Sequence, residues 1–233
     1  MGLQPFVNLS TENFNLIQPY FVGRSRNVEK LDTICLHWTA GSSVDNDIKT
    51  LKRKGYGYHF IIDKEGKVNQ GAPLSRRVGH AGNAYGPNKG LVNTTSIGIS
   101  FSMLGTKGND DFNQSQLNSL EDLILDLREA VPTLKWLTGH HWVSPGRKID
   151  PYTFPFDEFI SSPNLKGWLK LWKTGYEPFP EGLSDCKCIE KRSDGSCKKS
   201  KGSCTGPGDL SYSERKLSKE VSDLGFQSDR DTP

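Results

Sequence analysis

Cysteine is scarce through most of this 233-residue chain. Of its five cysteines only Cys35 lies in the first 185 residues, and Cys186, Cys188, Cys197 and Cys204 crowd into a C-terminal stretch. A disulfide framework inside the larger region is therefore excluded, and that region must rely on a core that a chain of this length is able to bury. Long apolar runs are missing as well, so no segment reads as a membrane span. The opening "MGLQPFVNLSTENFNLIQPYF" lacks the basic and then apolar pattern of a secretory signal. Phe6 stands where a myristoylation motif wants Ser or Thr. No glycine-rich phosphate loop follows a strand, which argues against a nucleotide site. The formal charge is only +3; a mildly basic balance helps approach to an anionic polymer, and no nucleic-acid partner is expected. A chain made in the cytoplasm, reaching any outside target by another route, is the expectation.

What is present is a turn-rich sequence, with 24 glycines and 13 prolines, whose core signals fall between about residues 30 and 160. "TICLHW" at 33–38 reads as a buried strand that puts Cys35 and His37 on one face and Ile34, Leu36 and Trp38 on the other. "SSVDNDIKTLKRKG" at 42–55 reads as a helix ending at Gly55, with Val44, Ile48 and Leu51 on one side. "YHFIID" followed by "KEG" and "KVNQ" predicts a hairpin around Gly66. In "TSIGISFSM" at 95–103, Ile97, Ile99 and Phe101 alternate with Gly98, Ser100 and Ser102, as expected where a sheet passes beneath a site. The longest helix is predicted over 113–131, with Leu117, Leu120, Ile124, Leu127 and Val131 at helical spacing and Glu121 and Asp122 on the wetter side. Strands separated by helices, with one hairpin, predict an α/β domain built on a single mixed sheet flanked by helices.

This organisation divides the chain into an N-terminal extension at 1–24, a main domain at 25–178 and a polar, cysteine-bearing tail at 179–233. The tail spacing C-x-C-x8-C-x6-C leaves three readings open: a small zinc site, disulfides, or a loosely ordered basic segment. Cys35, in the middle of an apolar strand, reads as a core thiol.

Five histidines remain to be placed: His37, His59, His80, His140 and His141. His37 ends a strand, and His140 follows "LKWLTG", a candidate neighbouring strand. The loop "HWVSPGRKID" is long enough to return Asp150 as an oxygen ligand. Two imidazoles, one carboxylate and an open position form a common catalytic Zn²⁺ arrangement; unrelated histidines at the surface or core edge are the alternative on spacing alone.

Five ordered segments carry a resemblance. "LHWTAG" at 36–41, "GYHFIIDKEGKV" at 57–68, "VGHAG" at 78–82, "TSIGIS" at 95–100 and "TGHHWVSPGRKIDP" at 138–151 resemble successive motifs of the type 2 N-acetylmuramoyl-L-alanine amidases, the superfamily that also holds phage lysozyme-like amidases and the peptidoglycan recognition proteins. The resemblance implies that fold, a Zn²⁺ held by His37, His140 and Asp150, and catalytic roles for Tyr58 and Lys148. It implies peptidoglycan or muropeptide as partner, and hydrolysis of the amide joining the lactyl group of N-acetylmuramic acid to L-alanine. A monomer, released as a lysin or delivered by another route, is expected; a module that binds muropeptide without cutting it is the alternative.

One departure stands out. The recycling branch of the family carries a glutamate at the end of the "SIGI" strand, and this chain has Ser100, a poor base. His80 is expected to hydrogen-bond substrate or brace its loop, His141 to stand behind the ligands or in the groove, and Arg147 to hold a stem-peptide carboxylate or face solvent. His59, of opposite strand parity to Tyr58, is expected to pack or hydrogen-bond. Phe154, Phe156 and Phe159 are expected in the core or groove wall.

Overall fold

The computed structural model describes residues 21, 23–82, 84, 86–87, 92–105, 111–145 and 147–174, together with the backbone of 14–15, 187–191 and 197–201. Its centre is a seven-stranded mixed sheet. In chain order the strands are β1 (Phe14–Asn15), β2 (Thr33–Trp38), β3 (Phe60–Ile62), β4 (Val68–Gln70), β5 (Ser96–Phe101), β6 (Trp136–Gly139) and β7 (Lys170–Leu171). Across the sheet they lie in the order β1-β4-β3-β5-β2-β6-β7. Only the β3–β4 hairpin is antiparallel, and the other neighbours run parallel. Parallel neighbours need crossovers, and the helices supply them: α1 (Val44–Lys54), the short α2 (Val92–Thr95) and α3 (Gln114–Ala130). Two further short helices, α4 (His140–Val143) and α5 (Phe156–Ile160), follow β6.

The alternation read in β2 and β5 decides which residues meet which helix. Ile34, Leu36 and Trp38 of β2, Ile97, Ile99 and Phe101 of β5, and Phe60 and Ile62 of β3 join one core with Leu120, Leu123, Ile124 and Leu127 of α3. On the opposite face, Ile61 packs with Tyr58, Phe21, and Ile48 and Leu51 of α1. The sheet is thus covered on both sides, as burial of a largely parallel sheet requires. Helix α3 begins in a capping box, with Asn113 Oδ1 accepting from Gln116 N–H at 3.0 Å and Gln116 Oε1 from Asn113 N–H at 3.3 Å. Helix α1 ends as predicted at Gly55, whose φ of 70° suits glycine.

Three expectations change. The fold extends further toward the N-terminus than residue 25: β1 pairs with β4, and Phe21 is buried with its N–H donating to Gly71 O at 3.0 Å. The parity argument separating Tyr58 from His59 fails because β3 starts only at Phe60, and Tyr58 packs on the same side as Ile61. In the tail, β8 (Lys187–Lys191) and β9 (Cys197–Lys201) form an antiparallel pair; the cysteine pairing or metal site considered there lies outside the described residues. Among the described residues no helix is long and apolar enough to cross a membrane.

Leu127 is fully buried between α3 and the sheet. Leu127→Ala is expected to cost about 2–5 kcal/mol from lost transfer energy and the cavity left behind, measured as the shift in urea unfolding at constant zinc. A change below about 1 kcal/mol would mean that α3 does not cover the core in this way.

Candidate metal centre

Parallel register brings the two histidines together. Leu36 of β2 pairs with Gly139 of β6, so His37 and His140, each the next residue, emerge at one level on neighbouring strands. Adjacent strands are about 4.8 Å apart, and the side chains close the remaining gap: His37 Nδ1 lies 3.0 Å from His140 Nδ1. Asp150 completes a triangle, its Oδ2 lying 3.2 Å from His37 Nδ1 and 3.1 Å from His140 Nδ1. The loop that delivers it is pinned at both ends. His141 N–H donates to the Asp150 carbonyl at 2.9 Å. Beyond Asp150, Phe154 packs against Phe101 at 5.9 Å, Phe156 at 4.7 Å and Phe159 at 5.2 Å between ring centroids, tying the loop to the core.

Proton positions follow from two carbonyl groups, which only accept. His140 Nε2 lies 3.1 Å from Ala81 O, so Nε2 carries the proton and Nδ1 presents a lone pair to the triangle. His37 sits at the end of a longer chain. Ser96 donates its hydroxyl hydrogen to Val92 O, so Ser96 Oγ accepts from His80 Nε2–H at 3.2 Å. His80 Nδ1 then accepts from His37 Nε2–H at 2.9 Å, and His37 Nδ1 is left with its lone pair facing the same point. This is the outer arrangement that orients metal-bound imidazoles.

The electrostatics agree with that assignment. Burial holds both imidazoles below their ordinary range, His140 down to about 3, so both are neutral near pH 7. Burial works against ionising Asp150, but its contacts with His140 and His37 outweigh it and keep the carboxyl well below the usual range. Two lone pairs and an anionic oxygen face one another at 3.0–3.2 Å, an arrangement that a central cation satisfies and hydrogen bonds alone do not. Four ligands at about 2.0–2.1 Å from a tetrahedral zinc ion stand roughly 3.3 Å apart, so the donor set and its spacing fit Zn²⁺.

A second grouping, Cys35, His37 and His80, also has its donor atoms close together. Its two imidazole nitrogens are already hydrogen-bonded to each other, and burial raises the Cys35 thiol well above its usual range. Cys35 is a core thiol behind the centre.

Around the triangle stand the other expected residues. Tyr58 is buried with its ring 4.9 Å from that of His37, and burial, reinforced by the Asp150 charge, keeps its phenol protonated. Ser100 pairs in register with His37; its buried hydroxyl lies beside Tyr58 without closing a well-formed hydrogen bond among the described residues. Half-buried Lys148 is lowered by burial, raised by Asp150 and lowered again by Arg147 and Lys54. His141 Nδ1 donates to the Asp150 carbonyl at 3.3 Å, behind the ligands. Arg147 does more than face solvent: its Nη2 donates to Ala81 O and Ser144 Oγ, each at 2.7 Å, bracing two loops. His59 is structural, accepting from Gly98 N–H at Nδ1 at 2.9 Å and lying 3.0 Å from Arg76 O at Nε2. Glycine is required at 98, since a Cβ there would stand 2.7 Å from the His80 ring.

One contributor was missed in the sequence. Asp47 is buried in α1 and accepts from the Ser102 hydroxyl at 2.6 Å and from Thr39, with burial raising its carboxyl and these two hydroxyls drawing it down. It braces the turn after His37, where Ala40 holds φ at 57°, a left-handed backbone that costs a non-glycine residue roughly 1–2 kcal/mol. The signal was an acid at i+3 from Val44 and i−4 from Leu51, within the apolar stripe.

Fold and donor set define a class: an α/β protein with a buried mononuclear site of two histidines and one aspartate. Residues 27–153, over half of the chain, match the N-acetylmuramoyl-L-alanine amidase family, and the chain belongs to that family. It is similar to the 1,6-anhydro-N-acetylmuramyl-L-alanine amidase AmpD of Escherichia coli, with 30% identity over 93 residues, 40% of this chain and 50% of that protein. The AmpD of Haemophilus influenzae is 30% identical over 107 residues, 45% of this chain and 56% of its own. The chain thus spans about half the length of the curated relatives it matches. The endolysin N-acetylmuramoyl-L-alanine amidase LysCS from Clostridium intestinale shares the fold at a TM-score of 0.52 and 23% identity, over 68% of this chain and 100% of that one.

His37→Ala and Asp150→Ala are each expected to remove most of the zinc from the full chain carrying serine at Cys186, Cys188, Cys197 and Cys204, as measured by metal analysis after dialysis. Undiminished zinc in both variants would reject this ligand set.

Proposed function

We propose that the chain is a zinc-dependent N-acetylmuramoyl-L-alanine amidase that cleaves the amide between the lactyl group of N-acetylmuramic acid and the L-alanine of a peptidoglycan stem peptide. The observation that carries this reading is the buried His37–His140–Asp150 triangle with the Tyr58 ring beside it. Family membership and the names of the AmpD relatives support the bond chosen.

His37, His140 and Asp150 would hold the ion. Bound there, Zn²⁺ lowers the pKa of a water molecule and polarises the scissile carbonyl. Asp150 contributes a single negative charge, so the site keeps a net positive charge for the oxygen that becomes anionic during attack. Lys148 adds a second positive charge there: its field reaches both ligand histidines and Asp150. A protonated amine cannot bind metal, so its part is electrostatic. Tyr58, held as a neutral phenol, donates a hydrogen bond and does not take a proton. Ser100 offers no carboxylate where the recycling branch has glutamate, so proton abstraction is assigned to no side chain at that position. We also propose a monomer as the active form, because every group named comes from one chain.

Mass spectrometry of purified peptidoglycan after incubation with the zinc-loaded chain is expected to find free stem peptides and intact glycan strands. Shortened glycans or internally cut peptides would move the protein to another hydrolase class, and tight binding without release would make it a recognition module. Lys148→Ala is expected to keep its zinc yet lose about 10- to 1,000-fold in turnover, the range for removing one electrostatic element from the transition state. Tyr58→Phe is expected to follow the same pattern more mildly. Rates on a muramoyl-peptide amide, measured with zinc content, decide both: wild-type turnover removes the residue from the mechanism, and lost zinc reassigns it to organising the site.

A further inference from the structure

We propose that Asn93 is a positioning residue for the metal centre, whose side-chain oxygen fixes the loop that sets the proton positions on both ligand histidines. The inference rests on reading His37, His140 and Asp150 as the zinc ligands. Asn93 lies in α2, away from the triangle, and is only 2% exposed. Its Oδ1 accepts from two successive backbone N–H groups, His80 at 3.0 Å and Ala81 at 2.8 Å.

These are the two residues that touch the histidines from behind. His80 Nδ1 receives the His37 Nε2 proton at 2.9 Å, and Ala81 O receives the His140 Nε2 proton at 3.1 Å. A single oxygen therefore anchors both contacts, each within one residue of the bond it makes. The anchor is itself held: Arg26 Nη1 donates to Asn93 O at 3.2 Å and to Ser96 O at 2.6 Å. Both N–H donors converge on Oδ1, which leaves no role for the opposite amide orientation, since an NH₂ group accepts nothing.

Without that oxygen two buried N–H groups lose their acceptor, and the loop turns to find another. Once Ala81 O or His80 Nδ1 moves away, nothing keeps the imidazole proton on Nε2. An imidazole protonated at Nδ1 has no lone pair there to give a metal.

The test uses the full chain with serine at the four tail cysteines, so that only nitrogen and oxygen donors compete for zinc. Zinc affinity is measured against a chromophoric chelator, and the tautomers of the histidine rings by nitrogen-15 NMR of the metal-free protein. Asn93→Leu is expected to weaken zinc binding about 10- to 100-fold, as loss of an outer-shell partner does, and to move His37 and His140 from the Nε2–H form to a mixture. Asn93→Asp, which keeps the acceptor oxygen, is expected to restore both readouts. Leu127→Ala, destabilised without touching the loop, is expected to keep wild-type affinity. Wild-type affinity and tautomers in Asn93→Leu would overturn the proposal, as would an equal loss of affinity in Leu127→Ala. If Asn93→Leu does not fold, Asn93→Ser, whose shorter side chain does not span both N–H groups, gives the same comparison. A wild-type chain that binds no zinc would overturn the functional reading and the metal role of Asn93 with it, whereas zinc binding that Asn93→Leu leaves unchanged would overturn the role of Asn93 alone.

Discussion

Two imidazole lone pairs and a carboxylate oxygen held 3.0–3.2 Å apart inside a protein repel one another, and much of this fold exists to keep them there. None of the three can relax toward water, because the triangle is buried at the carboxyl ends of the central strands. Each donor is held by a different device. His37 is fixed by strand register and the chain through His80 to Ser96; His140 follows β6 and is held by Ala81 O; Asp150 hangs on a loop nailed to the core by phenylalanines. A site stressed in this way is poised for a cation, since binding one relieves the repulsion that folding imposes.

The same constraint explains how polar the site face of the sheet is allowed to be. Gly98 and Ser100 on that face of β5, and Ser102 just past its end, lie in a row, and each meets a different neighbour: the His80 ring, Tyr58 and Asp47. The row has no room for a large side chain at Gly98 and no carboxylate at Ser100. Negative charge on this face is supplied instead by Asp150 among the ligands and by Asp47 at the far end, where it is committed to Ser102 and the turn after His37. Under the proposed function, a site organised this way leans on the ion and on Lys148 for its electrostatics.

Much of this was legible in residue patterns. The period-two alternation of 33–38 and 96–101 separates core from site because a strand allows only two faces, and the spacing of Leu120, Ile124 and Leu127 marks the buried side of α3 because a helix repeats every 3.6 residues. Leu123 belongs to the same stripe, three residues after Leu120 and four before Leu127, and is buried in the same core. The bracing role of Arg147 was not legible: nothing near it in sequence indicates that Ala81 O, 66 positions away, is its acceptor. Tyr58 and His59 were assigned to opposite faces by an alternation that begins only where ladder pairing does, at Phe60.

The sequence by itself determined the central strands, the two long helices and the mixed α/β class, because these depend on local periodicity, while the donors were named by resemblance to a family whose motifs carry the same side-chain chemistry in the same order. Only the tertiary structure decided which nitrogen of each histidine faces the centre, that Asp47 and Asn93 support it from a distance, and that the N-terminal segment joins the sheet. Those features depend on hydrogen bonds between groups tens of residues apart, and a hydrogen bond is specified by distance and direction in space, neither of which is written in the order of the chain.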